Sequence, residues 1–147
     1  MECKTELNDR IKCLHLKDVG LLFLRLFVGS FMLTHGLSKL LNYNEMSQTF
    51  PPMMGLSSQV GLTLIVFAEF FCSIALIIGL FTRLAAIPLI IGMSVAAFAA
   101  HAGQPFGARE LPLLYLVIYV TLLLVGPGKI ALDTLIYNRF CPHGKRK

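Results

Sequence analysis

Four apolar runs govern what this chain can become: residues 19–41, 60–81, 84–100 and 111–125. Crossing a hydrocarbon core of about 30 Å takes roughly 17–25 helical residues, so the first three runs suffice as they stand. The fourth reaches that length when Arg109 and Glu110 lie at the interface, where long polar side chains extend toward water. A soluble helical protein would need a polar face at a 3.6-residue period on each helix, and none of the four runs has one. Composition agrees: 14% of residues are charged and 56% hydrophobic, against about 25% charged in an average soluble domain. The fold expected is all-α, a polytopic membrane four-helix bundle. Three spans with one re-entrant segment is the alternative.

Charge sets the expected orientation. Lys4, Arg10, Lys12 and Lys17 precede the first run, Arg83 lies between the second and third, and Lys129, Arg139, Lys145, Arg146 and Lys147 follow the fourth. The remaining two loops hold only Arg109. The positive-inside rule then puts both termini and the Arg83 turn in the cytoplasm, and residues 42–58 and 102–108 outside. The membrane expected is one that borders the cytoplasm. The net charge of +5 is accounted for by topology, so nucleic acid is not an expected partner. The lipid bilayer is, and the terminal HGKRK stretch adds an attraction for anionic headgroups. The eighteen residues before the first run are too many and too polar for a cleaved signal.

Three segments follow: a polar, amphipathic cytoplasmic leader (1–18), a four-helix transmembrane domain (19–133) and a basic cytoplasmic tail (134–147). A short amphipathic helix over residues 130–140 is expected to lie along the cytoplasmic surface. The outer loop at 42–58 is expected to cover the bundle mouth, with PPMM at its centre dipping into the interface. Pro112 fits the first turn of the last span, where no amide donor is needed. Cys3, Cys13 and Cys141 fall on the reducing side, where disulfides are rare. CLH at 13–15 and CPH at 141–143 lack tight metal-ligand spacing, and no metal site is expected.

Ionisable groups inside these spans carry the functional signal. At mid-bilayer a charge costs at least about 2.5–3.5 kcal/mol, so such residues turn inward and pair, or line a wet cavity. At about 100° per residue, Arg25, Gly29, Met32, Gly36 and Lys39 fall within roughly 40° of one line, with His35 about 80° to the side of Arg25. Gly29 and Gly36 would let a neighbouring helix approach closely. At about 1.5 Å per residue from the cytoplasmic ends, Arg25 lies about 10 Å in, Glu69 about 20 Å, His35 about 25 Å, His101 about 27 Å and Lys39 about 31 Å. An outward-opening pocket results, with the histidines level, Lys39 and Glu110 at its mouth, and Glu69 and Arg25 as its floor. Plainer uses exist for each group: Lys39 snorkelling to the interface, an Arg25–Glu69 ion pair locking two helices, a histidine in a helix-to-helix hydrogen bond. Arg83 and Asp133 read as topology and surface groups.

The order LLFLRLFVG, THGLSK, FAEFFCSIALIIGLFTRLAA, a lone His101, then GARELPLLYLVIYVTLLLVGPGKIALD resembles the DoxX family of small four-helix bacterial membrane proteins, over roughly residues 19–133. The family's charged pattern falls on Arg25, His35, Lys39, Glu69, Arg83, His101, Glu110 and Asp133. The extended tails lie outside it. The resemblance includes proteins like the small subunit of a thiosulfate:quinone oxidoreductase, and implies a subunit of a membrane oxidoreductase system with soluble redox partners. No haem, flavin or iron–sulfur spacing occurs, so no covalently bound cofactor is expected and the carrier would be a diffusing quinone or a partner's group. On that expectation His35, His101 and Glu69 handle protons and headgroup hydrogen bonds. Arg25, Lys39 and Glu110 bind substrate, Lys39 attracting an anion such as thiosulfate, and Arg25 keeps Glu69 ionised. Alternatives are a non-catalytic scaffold docking partners through its tail, a homo-oligomer, and a small-solute transporter, which four helices without an inverted repeat rarely make.

Overall fold

The computed structural model describes residues 2–52 and 55–140, with side chains at 16–52 and 55–136. Cys3, Cys13, Cys141, Met53 and Met54 of PPMM, and the HGKRK end lie outside those side chains. No strand occurs among the described residues. The helices are α1 (Glu2–Leu41), α2 (Tyr43–Thr49), α3 (Ser58–Ile78), α4 (Thr82–Ala100), α5 (Phe106–Val125) and α6 (Leu132–Phe140). Of these, α3, α4 and α5 are long and apolar enough to cross a membrane. Their outer surfaces are greasy: Leu84, Phe98, Val117 and Leu124 are each well over half exposed, more contiguous apolar surface than a soluble monomer shows to water.

One core joins α1, α3, α4 and α5. Val28 and Met32 of α1 meet Cys72 and Leu76 of α3, Leu89 and Met93 of α4, and Tyr119 and Leu122 of α5. Close packing joins α1 to α3, α3 to α4, and α4 to α5, and no comparable packing joins α5 back to α1. The ring of helices is therefore tight on three seams and loose on the fourth.

Glycine brings α1 onto α3. A Cβ on Gly36 would lie 2.6 Å from both the carbonyl carbon of Glu69 and the amide nitrogen of Phe70, so the two backbones touch there. At Gly29 the neighbour is the Ile77 side chain, also at 2.6 Å. The touched part of α3 is not ordinary α-helix: Phe67–Cys72 is wound as π-helix, and α4 does the same over Ala96–Ala100. Such wide turns carry an extra residue and recur at functional positions.

The opposite end of the bundle is tied by polar side chains. Arg25, 1% exposed, donates from Nη1 to the Pro127 carbonyl (2.7 Å) and from Nη2 to the Ile130 carbonyl (2.6 Å). Asp18 accepts from the Lys129 amide (2.9 Å). Asp133 accepts from the amides of Phe81 (2.7 Å) and Thr82 (3.0 Å), supplying from a distance the cap that α4 lacks locally. Its partner turn holds Phe81 at φ 48°, a conformation that strains a non-glycine residue. The sequence reads Asp133 as a surface group; it is a helix cap. Arg83 adds a weaker bond to the Leu124 carbonyl (3.4 Å).

Three local expectations change. The leader is not set off at Asp18: α1 runs unbroken from Glu2 to Leu41, since no proline interrupts it. Pro112 is not in a first turn, because α5 begins at Phe106 behind Pro105. It sits one turn further in and cannot offer an N–H to the Ala108 carbonyl. Among the described residues, the outer loop lines no part of the mouth. Tyr43 Oη bonds Thr63 Oγ1 (2.6 Å) and Phe50 packs on Gly61, which folds the loop back against α3.

Candidate functional site

A cavity of about 330 Å³ opens at the Lys39 end of the bundle, lined by Met32, His35 and Lys39 of α1, Glu69 of α3, Met93 and Ala96 of α4, His101 just beyond it, and Ala108, Leu111, Pro112 and Tyr115 of α5. Helical spacing explains each contribution: 32, 35 and 39 form one stripe of α1, and 108, 111, 112 and 115 form one stripe of α5. A second hollow between α3 and α4, around Phe50, Leu64 and Pro88, is apolar throughout and offers no chemistry.

Lys39 and Glu69 form the ion pair at the centre of this site, Nζ donating to Oε1. The Glu69 side chain is 6% exposed and that of Lys39 26%. Backbone contact at Gly36 makes this meeting possible, since Lys39 lies one turn further along the same face. Every Cα–Cβ bond of an α-helix tilts toward the N-terminus, so Lys39, near the end of α1, leans back into the cavity instead of outward to the interface. Glu69 Oε2 is buried with no hydrogen-bond partner among the described residues. A buried acceptor in that condition costs about 1–3 kcal/mol, more when charged. The Tyr119 hydroxyl, on the face of α5 below the cavity, is likewise buried and unpartnered.

The same tilt corrects the expected role of Arg25. Its helical phase suits a pocket floor, but its side chain leans toward the N-terminal end of α1 and spends its donors on Pro127 and Ile130. Among the described residues no hydrogen bond or ion pair joins Arg25 to Glu69. Arg25 lines no part of the cavity and does not hold Glu69; Lys39 does. Glu110 is also elsewhere: it is exposed and stands about 150° around α5 from the middle of the lining stripe.

The two histidines line the cavity from opposite sides. His101 Nδ1 lies 2.6 Å from the Ala96 carbonyl. A carbonyl only accepts, so Nδ1 carries the proton and Nε2 of the neutral ring is left with its lone pair. The Arg109 guanidinium donates from Nε to the His101 carbonyl (2.9 Å), fixing the turn that carries the ring. His35 is exposed at the cavity rim. Among the described residues no three histidine, cysteine or acidic side chains gather as a metal site would require.

Sequence reasoning missed Tyr115 and Tyr119. The signal was there: two tyrosines four apart in LYLVIYV share one helical face, and their rings stack with centroids 5.9 Å apart. The π-helical turns and the carbonyl bared by Pro112 had no comparable signal.

The profile of the DoxX family matches residues 20–102. Two proteins of Haemophilus influenzae, both described as uncharacterized, are similar along most of their length. One is 33% identical over 126 residues, covering 80% of this chain and 83% of its own. The other is 35% identical over 130 residues, covering 81% and 92%. No solved structure matches.

Proposed function

The chain belongs to the DoxX family, and from that premise we propose that it is a four-span inner-membrane subunit of an oxidoreductase system whose cavity binds a quinone headgroup. In this reading residues 19–41 of α1 form the fourth span beside α3, α4 and α5, and both termini face the cytoplasm, consistent with the distribution of Lys and Arg. Electrons come from a soluble redox partner, and the quinone is the diffusing carrier.

The observation that carries the reading is the Lys39–Glu69 pair in the wall of the cavity. Lys39 is already neutralised by Glu69, so the pair offers no net charge to attract a second anion. A small anion such as thiosulfate is therefore the poorer fit. A neutral ring bearing carbonyl or hydroxyl groups suits the site better: the remaining Lys39 N–H groups donate to a carbonyl, His101 Nε2 accepts from a hydroxyl, and Met32, Met93, Leu111 and Tyr115 provide the apolar walls. Reduction of a quinone to a quinol takes two electrons and two protons, and the histidines and Glu69 are the groups here able to pass protons. Homo-oligomerisation is compatible with this arrangement and is not required by it.

The test is binding of a short-chain quinone to the purified full chain in detergent. Lys39→Met and His101→Ala should each weaken it about tenfold, the equivalent of about 1.4 kcal/mol. Affinity unchanged in both would end the headgroup assignment. A docking scaffold would instead lose its partner on removal of residues 134–147 while staying indifferent to both cavity variants.

A further inference from the structure

We infer that the cavity opens sideways into the bilayer, through the seam between α1 and α5, and takes its ligand from the lipid phase with the ligand's hydrocarbon tail lying in that seam. The inference rests on the cavity being a ligand site. It adds the route and the class: a membrane-dissolved amphiphile with a neutral hydrogen-bonding headgroup.

Three observations lead to it. The first is the helix packing: α5 is closely packed on α4 alone, and α1 on α3, so nothing comparable closes α1 against α5. The second is the uneven state of that seam along its length. At one end Arg25 and Asp18 of α1 hold the segment that follows α5, through Pro127, Lys129 and Ile130. At the other, no hydrogen bond links α1 to α5 among the described residues, and the two edges are His35 and Leu111, both exposed, with Leu111 at 52%. The seam is a wedge, pinned at the Arg25 end and open at the cavity.

The third observation is what lies behind the opening. The Lys39–Glu69 ion pair stands in the cavity wall, with the Glu69 side chain more than nine-tenths buried. A lipid tail alone would leave that ion pair against hydrocarbon, and a polar solute would leave the apolar seam facing hydrocarbon to no purpose. A headgroup on a tail satisfies both. On the orientation proposed above, His35 lies about 25 Å into a core of about 30 Å, close enough to the outer interface for a headgroup and far enough in for its tail to remain among acyl chains.

The chain contains no tryptophan, which makes a direct test simple. Met93 lines the far wall of the cavity and is only 6% exposed, so a tryptophan there meets lipid only by way of the seam. The full chain carrying Met93→Trp is reconstituted in phosphatidylcholine with or without bromine on the acyl chains, and compared with Val117→Trp on the outward face, 64% exposed. Bromine quenches on contact. Quenching of Met93→Trp comparable to that of Val117→Trp is the expected result. Quenching of Val117→Trp alone would overturn the lateral opening, and iodide from the aqueous side quenching Met93→Trp while bromine does not would assign entry to water. Should Met93→Trp fail to fold, Tyr115→Trp reads the same cavity from α5. The outcome separates from the quinone titration: lipid quenching without quinone binding leaves the opening intact and removes the headgroup, and binding without lipid quenching does the reverse.

Discussion

Gly36 brings the backbone of α1 into contact with the peptide of Glu69: a Cβ at that position would lie 2.6 Å from the Glu69 carbonyl carbon and 2.9 Å from its oxygen. The position of Lys39 over Glu69, and with it the cavity, depends on this approach.

Gly36→Ala should accordingly push two backbones apart, at a cost of about 1–3 kcal/mol. Gly29→Ala meets Cγ1 of the Ile77 side chain instead, with the nearest backbone atom, the Ser73 oxygen, at an ordinary 3.4 Å, so a side chain has to shift and not a backbone. Thermal unfolding in detergent should therefore rank Gly36→Ala clearly below Gly29→Ala, and equal losses would contradict a backbone contact unique to Gly36.

Removing one half of the ion pair leaves the other buried. Lys39→Met should destabilise by about 3–5 kcal/mol, and the double variant Lys39→Met/Glu69→Leu should recover much of that loss. A double-mutant cycle on unfolding midpoints measures the coupling; a coupling near zero would mean that the two side chains do not act on each other.

Arg25 acts on the opposite end. In Arg25→Met the carbonyls of Pro127 and Ile130 lose their charged donor, and each hydrogen bond from a charged group is worth about 1.5–3 kcal/mol. Stability should fall while quinone affinity at the cavity stays the same. Loss of affinity at unchanged stability would return Arg25 to the binding site.

Asp133→Ala deletes the cap on Phe81 and Thr82, an effect of about 0.5–2 kcal/mol. Hydrogen exchange should then rise at the first turn of α4 and stay unchanged at α3. Uniform exchange across both helices would show that the cap is dispensable.

What the sequence by itself determined is what depends on local chemistry. Hydrophobic length marks α3, α4 and α5 as able to cross a membrane, because transfer into lipid is summed along a contiguous run. Helical period put Met32, His35 and Lys39 toward a common interior and set Gly36 where a neighbour comes close, because both follow from 3.6 residues per turn. The motif order identified the family. The tertiary structure decided the partners. Arg25 and Lys39 share a stripe, yet one grips carbonyls beyond α5 and the other Glu69, because side-chain tilt and the position of neighbouring helices choose between partners that phase alone leaves equal. The displaced start of α5, the π-helical turns at Glu69 and Ala96, the inward tyrosines and the loose α1–α5 seam follow from how four helices fill one core, and no single run of residues contains that information.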